Sequence, residues 1–177
     1  MTIRPFRDYS EHEVLNLFAL DGEGSKGMFV TAVGSGFDLS ADSAFSDDSF
    51  IDGTVSSRFD IAAKVGAAPS GALPKQVIGM TLKDVKSVDE NGYPLKFEPS
   101  KAAERDVVIS GQAVPLVKRG IFLYSGIEGS PSAGAGLAVS DLGDGSLKVV
   151  GAGAGTAVAR ALGPKDANGF CLIEIKL

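Results

Sequence analysis

Apolar residues come in short alternating runs along most of this 177-residue chain, and each run is cut after a few positions by Gly, Pro, Asn or Asp. The closing segment is the clearest. From Phe170 to Leu177, Cys171, Ile173, Ile175 and Leu177 share one face while Glu174 and Lys176 point the other way, the period-two pattern of a half-buried strand. The Asn168-Gly169 pair before it suits a two-residue type I′ turn, whose central positions both need positive φ. Thr156–Leu162 reads as the partner strand, with Ala157, Ala159 and Ala161 on one side and Val158, Arg160 and Leu162 on the other.

The same rhythm predicts the remaining elements. Glu13–Leu20 and Met28–Val33 form a hairpin across the turn-rich Asp21–Gly27, and Thr54–Ala63 is a further strand. Between these, Gly34–Gly53 has neither period, and Ala67–Pro74 is a linker or wide loop. Val77–Val88 and Tyr93–Phe97 make a hairpin around Asn91-Gly92. Pro99-Ser100 opens one helical turn over Lys101–Arg105, with Ser100 as its cap. Val107–Ile109 is a strand, and Gln112–Val117 and Ile121–Tyr124 are joined by Lys118-Arg119-Gly120, with Pro115 placing its strand at an edge or bulge. Gly126–Gly136 is a flexible tip, and no internal repeat stands out. The expected fold is all-β: a small β-barrel or β-sandwich of antiparallel hairpins with at most one short helix. Residues 1–11 lack periodicity and read as an extended N-terminal arm on a single domain, 12–177, whose strands are best defined over 76–177.

One stretch offers a different reading. Leu147–Val150 followed by Gly151, Gly153 and Gly155 resembles the strand and glycine turn of a dinucleotide-binding unit. The third glycine follows the second by two residues instead of three, Gly163-Pro164 stops any helix early, and no acidic residue follows at the ribose-binding distance. A bend between two strands accounts for more of these residues, and no nucleotide cofactor is expected.

Composition narrows the class further. Twenty-three glycines and eight prolines describe a chain that turns often. A net charge of −5, without a lysine–arginine cluster, speaks against nucleic acid. The start carries charges and no apolar run, and no later stretch has the length of a membrane span. One cysteine excludes an internal disulfide, and Cys171 alternates with apolar neighbours as a buried small hydrophobe does. Assembly in a reducing cytoplasm fits.

Catalytic chemistry is thinly supplied. His12 is the single histidine, and neither a serine nor the cysteine lies in a nucleophile-elbow pattern. Zinc would need more histidine and cysteine ligands. Asp38, Asp42, Asp47, Asp48 and Asp52 invite a calcium reading, but their spacing matches no EF-hand. Asp47-Asp48 and Asp89-Glu90 are adjacent carboxylate pairs of the kind charged turns carry, and Tyr93 and Tyr124 could contribute to a glycan-stacking platform. No enzyme, metal, cofactor or small-molecule substrate is expected.

The segments GQAVPLVKRGIFLYSG and KVVGAGAGTAVARALGPKDANGFCLIEIKL resemble the C-terminal pattern of capsid cement, or head decoration, proteins of tailed bacteriophages. EHEVLNLFALDGEGSKGMFVTAVGSGFDLS is similar to their opening. The resemblance covers roughly residues 9–40 and 107–177. It implies a virion protein made in the host cytoplasm and clamped on the capsid exterior, a homotrimer that binds the major capsid protein and stabilises the expanded head, with a terminal arm over neighbouring subunits. Arg4, Phe6, Arg7 and Tyr9 combine cations with aromatics in the arm and are the expected capsid-binding residues. A receptor- or glycan-binding module of a fibre or adhesin is the alternative.

Overall fold

The computed structural model describes residues 2–6, 10–20, 22–33, 64–151 and 155–177. They form fifteen strands and one short helix, all-β as the punctuation indicates. The strands are β1 (Ile3–Pro5), β2 (Val14–Leu15), β3 (Ala19–Leu20), β4 (Phe29–Val33), β5 (Lys64–Ala67), β6 (Val77–Thr81), β7 (Asp84–Lys86) and β8 (Val107–Ile109). They continue with β9 (Leu116–Val117), β10 (Arg119–Tyr124), β11 (Ile127–Glu128), β12 (Gly136–Val139), β13 (Leu147–Val150), β14 (Ala159–Ala161) and β15 (Cys171–Lys176). The helix α1 spans Pro99–Glu104.

A seven-stranded sheet runs in the order β1-β10-β15-β14-β12-β13-β11, and a six-stranded sheet in the order β2-β9-β6-β4-β5-β3. The two share one core. Phe122, Tyr124, Ile173, Ile175, Leu137 and Leu147 of the first sheet meet Phe29, Met80 and Val117 of the second. The Phe29 and Tyr124 rings cross edge to face, with centroids 6.3 Å apart. The six-stranded sheet also buries its far side, where Leu20, Val30, Val65 and Leu116 pack against Val85 and Val114. β4 and β6 are therefore apolar on both faces, which is why Met28–Val33 reads as a run rather than as an alternation.

The third layer is a lobe inserted between β6 and β9, which are themselves paired through Met80–Val117 and Thr81–Leu116. In it β7 and β8 lie parallel, and Leu95, Ala102 and Ile109 form a separate small core.

Several local expectations are corrected. Glu13–Leu20 breaks into a single 3-10 turn and two short strands, and β3 pairs in parallel with β5, so it makes no hairpin with β4. β9 and β10 belong to different sheets, so Lys118 is a crossing point between sheets. β9 lies between β2 and β6, and Pro115, just before it, accepts a bond from the Leu82 N–H without losing a ladder position. Glu98, not Ser100, stands at the helix N-cap. Gly126–Gly136 is not a free tip: Ile127 and Ala135 are buried, and β11 pairs with β13. After the glycine cluster the described residues form a turn and β14, which together with β13 flanks β12. The strand expected over 54–63 lies outside the described residues.

A repeat does exist, at the level of turns. Asp89-Glu90-Asn91-Gly92-Tyr93 and Asp166-Ala167-Asn168-Gly169-Phe170 adopt the same five-residue geometry. In each, the aspartate Oδ1 accepts the N–H groups of the asparagine and the aromatic residue at 2.8–2.9 Å. The aspartate N–H donates to the aromatic carbonyl, and the glycine N–H to the aspartate carbonyl. Only the glycines have positive φ, +81° and +80°. A two-residue type I′ turn would need the asparagines there too, so these are turns closed by a glycine bulge.

In the lobe, the first of these turns is clamped to α1. The Asp89 carboxylate, 1% exposed, pairs with Lys101, while Glu90 pairs with Arg105. The Lys101 hydrogen bond, opposed by desolvation and assisted by the Tyr93 and Asn91 N–H groups, lowers the Asp89 pKa from 3.8 to about 2. The same bond raises Lys101 above 10.5. A carboxyl depressed by folding contributes stability that is full above 3.8 and lost as pH falls towards 2; an ammonium raised by folding contributes stability that is full below 10.5 and lost above it. The clamp is thus expected to hold on a plateau between those limits, with NMR titration placing the Asp89 midpoint near 2. A midpoint at 3.8 would mean that the pair does not form in solution.

Candidate functional site

The run Ile121-Phe122-Leu123-Tyr124 has no polar position, so a strand built from it must carry apolar side chains on both faces. Phe122 and Tyr124 turn into the core, and Ile121 and Leu123 stay half-buried on the outer face. β15 does the same: Cys171, Ile173 and Ile175 are buried, and Leu172 is half-buried on the opposite side.

Register brings these residues together. Leu123 stands opposite Leu172 on one side and Arg4 of β1 on the other, which places Arg4, Leu123 and Leu172 in one row across three strands. A second row follows. Ile121 faces Glu174, and Glu174 faces Arg160 with 2.6 Å between their charged atoms. Phe6 joins this corner through its N–H, 3.0 Å from the Ile121 carbonyl, and the residue is 54% exposed. The Arg4 guanidinium lies 5.4 Å from the centroid of the Phe170 ring. Beneath β1 is a cleft of about 350 Å³ lined in part by Ile3, Pro5, Val14, Lys26 and Leu82. The outer corner of the sheet thus has an apolar centre, an exposed aromatic and a charged rim, the arrangement that protein interfaces favour.

Two of the four residues expected to bind a capsid, Arg4 and Phe6, sit in this corner. Arg7 and Tyr9 lie outside the described residues. The segment that carries Arg4 is extended, and it lies on the chain's own sheet: β1 pairs with β10, and Ile3 enters the core. Ile121, Leu123, Leu172 and Phe170 were missed. The signal for them was present in the unbroken apolar run of β10 and in Leu172, which interrupts the polar face of β15. A second exposed group stands on the lobe, where Val88, Tyr93 and Phe97 are 39%, 65% and 73% exposed. Lys96 Nζ is 5.1 Å from the Phe97 ring centroid.

The remaining candidates for chemistry are occupied structurally. His12 is exposed in a 3-10 turn, with its N–H bonded to Ser10. Cys171 is buried, which pushes its thiol pKa up, and its Sγ is 3.1 Å from the Gly163 carbonyl. Asp89 and Glu90 are turn and clamp residues. Among the described residues no three His, Cys, Asp or Glu side chains gather as a metal site. The aspartates of 38–52, including Asp47-Asp48, lie outside the described residues. No protein-family model and no curated protein matches this chain.

Proposed function

We propose that the protein is a structural docking protein, a capsid cement of a tailed bacteriophage that binds the major capsid protein on the head exterior and associates with itself as a homotrimer. The observation that carries this reading is the outward row Arg4–Leu123–Leu172 with Phe6 beside it. Apolar side chains on the outer face of a sheet gain by being covered, by about 25 cal/mol per Å² of surface removed from water. A ligand that binds one lattice state in preference to another stabilises the first by its differential affinity, so no reaction is needed for the protein to strengthen an expanded head.

Heads assembled from the major capsid protein of the same genome provide the test. The protein is expected to co-sediment with expanded heads and to raise their disruption temperature. Leu123→Asp is expected to weaken binding at least about tenfold, or ~1.4 kcal/mol, with the fold retained by circular dichroism. Equal decoration by the variant, or no decoration by the parent, overturns the reading. The exposed pair Tyr93 and Phe97 favours a second reading, a glycan-binding module. Glycan-array binding lost on Tyr93→Ala would select it.

A further inference from the structure

The twin turns share a reactive dipeptide and differ in how firmly it is held. Each places an exposed asparagine directly before a glycine. In that sequence the glycine backbone nitrogen, once deprotonated, can attack the asparagine side-chain carbonyl carbon. The new C–N bond closes a five-membered succinimide and the side-chain nitrogen leaves as ammonia. Water then opens the ring at either carbonyl, giving aspartate or isoaspartate. One water is consumed, one ammonia is released and one carboxylate appears.

In both folded turns the attacking nitrogen is engaged, Gly92 N–H with the Asp89 carbonyl at 3.2 Å and Gly169 N–H with the Asp166 carbonyl at 3.0 Å. Reaction therefore requires the turn to open, and the frequency of local opening sets the rate. The turn at Asn91 is held from two sides. The Val88–Pro94 bridge abuts it, the Leu95 N–H bonds the Ser87 carbonyl, and the Asp89 carboxylate is buried against Lys101 while Glu90 is tied to Arg105.

The turn at Asn168 lacks these restraints. Between it and the Leu162–Leu172 bond, three residues on one side, Gly163 to Lys165, face Cys171 alone. Lys165 reaches away to the Ile127 carbonyl, and among the described residues the exposed Asp166 carboxylate meets backbone N–H groups and no cation. We propose that Asn168 is a site of spontaneous deamidation in the folded protein and that Asn91, in the same turn geometry, is protected by the Asp89–Lys101 clamp. The product adds a negative charge two residues from Asp166. As isoaspartate it also lengthens the backbone before Phe170, the ring on which Arg4 rests.

The test uses the folded parent protein aged in mildly alkaline buffer, with peptide mapping for the mass gain of deamidation and enzymatic methylation for isoaspartate. The peptide with Asn168 is expected to convert several-fold faster than the peptide with Asn91. In guanidinium chloride the two should converge, because the sequence around each is nearly the same. Asn168→Gln should remove most of the signal from the folded protein. Equal rates in the folded state, faster conversion at Asn91, or an intact Asn168 after the unfolded chain has converted fully would each overturn the proposal.

Discussion

Gly145→Ala is expected to destabilise the protein by about 2–5 kcal/mol, the sum of a left-handed backbone penalty of ~1–2 and an overpacking cost of ~1–3. Gly145 has φ +73°, and a Cβ placed there would lie 2.5 Å from the Phe29 carbonyl oxygen and 2.4 Å from Met28 Cγ. The contact is close because the Gly145 carbonyl accepts the Phe29 N–H at 2.9 Å, a bond that ties the turn between β12 and β13 to β4 of the other sheet. For a chain of this size the loss corresponds to a fall in Tm on the order of 10 °C. Gly143 is the control. Its φ is +71° and nothing lies within 4 Å of an added Cβ, so Gly143→Ala should cost the backbone penalty alone. Urea melts of the two variants separate the effects, and equal losses would mean that the turn does not press on β4.

Removing residues 2–9 should be at least as damaging, contrary to what the aperiodic sequence suggests, because it takes away Ile3 and the β1–β10 pairing together. A free arm could be cut with Tm unchanged within a few degrees. In the structure Ile3 is 6% exposed and sits in the shared core, over Gly27 and beside Tyr124. Ser125 exchanges hydrogen bonds with Thr2 next to it. Ile3→Ala alone is expected to cost about 2–5 kcal/mol as a large-to-small core change. The surface pair Arg4→Ala and Phe6→Ala should stay within roughly 1 kcal/mol of the parent. The double variant is therefore the proper probe of docking, since truncation mixes binding with folding. A truncated protein that melts with the parent would show β1 undocked in solution.

β15 was legible because it alternates cleanly, with one face buried and the other partly wet, whereas β8 and β13 were legible as short apolar runs bounded by turn residues. The pairings of β3, β4 and β6 differ from the expected hairpins because their sheet is covered on both sides, so apolar runs carry no face information, and because parallel pairing such as β3 with β5, a strand the sequence reading does not contain, leaves no turn signature. Ile3 was missed for a related reason. One residue in a three-residue strand has no period, and only the partner β10 reveals it. The outer corner was half legible: Arg4 and Phe6 stand out by residue type, whereas Leu123 and Leu172 look like core until register sets them beside Arg4.

The insertion of the lobe within a hydrogen-bonded strand pair bears on the order of folding. Thr81 and Leu116 are partners across 35 positions of chain, and bringing such distant ends together carries an entropy that grows with the logarithm of the loop. If β7, α1 and β8 condense first, Asp84 and Val107 are already side by side. The remaining free chain is then about ten residues, which lowers the closure cost by about 1 kcal/mol. Changes that weaken the lobe's own small core, Leu95→Ala for one, should therefore slow refolding as well as loosen the lobe, although Leu95 belongs to neither of the two larger cores.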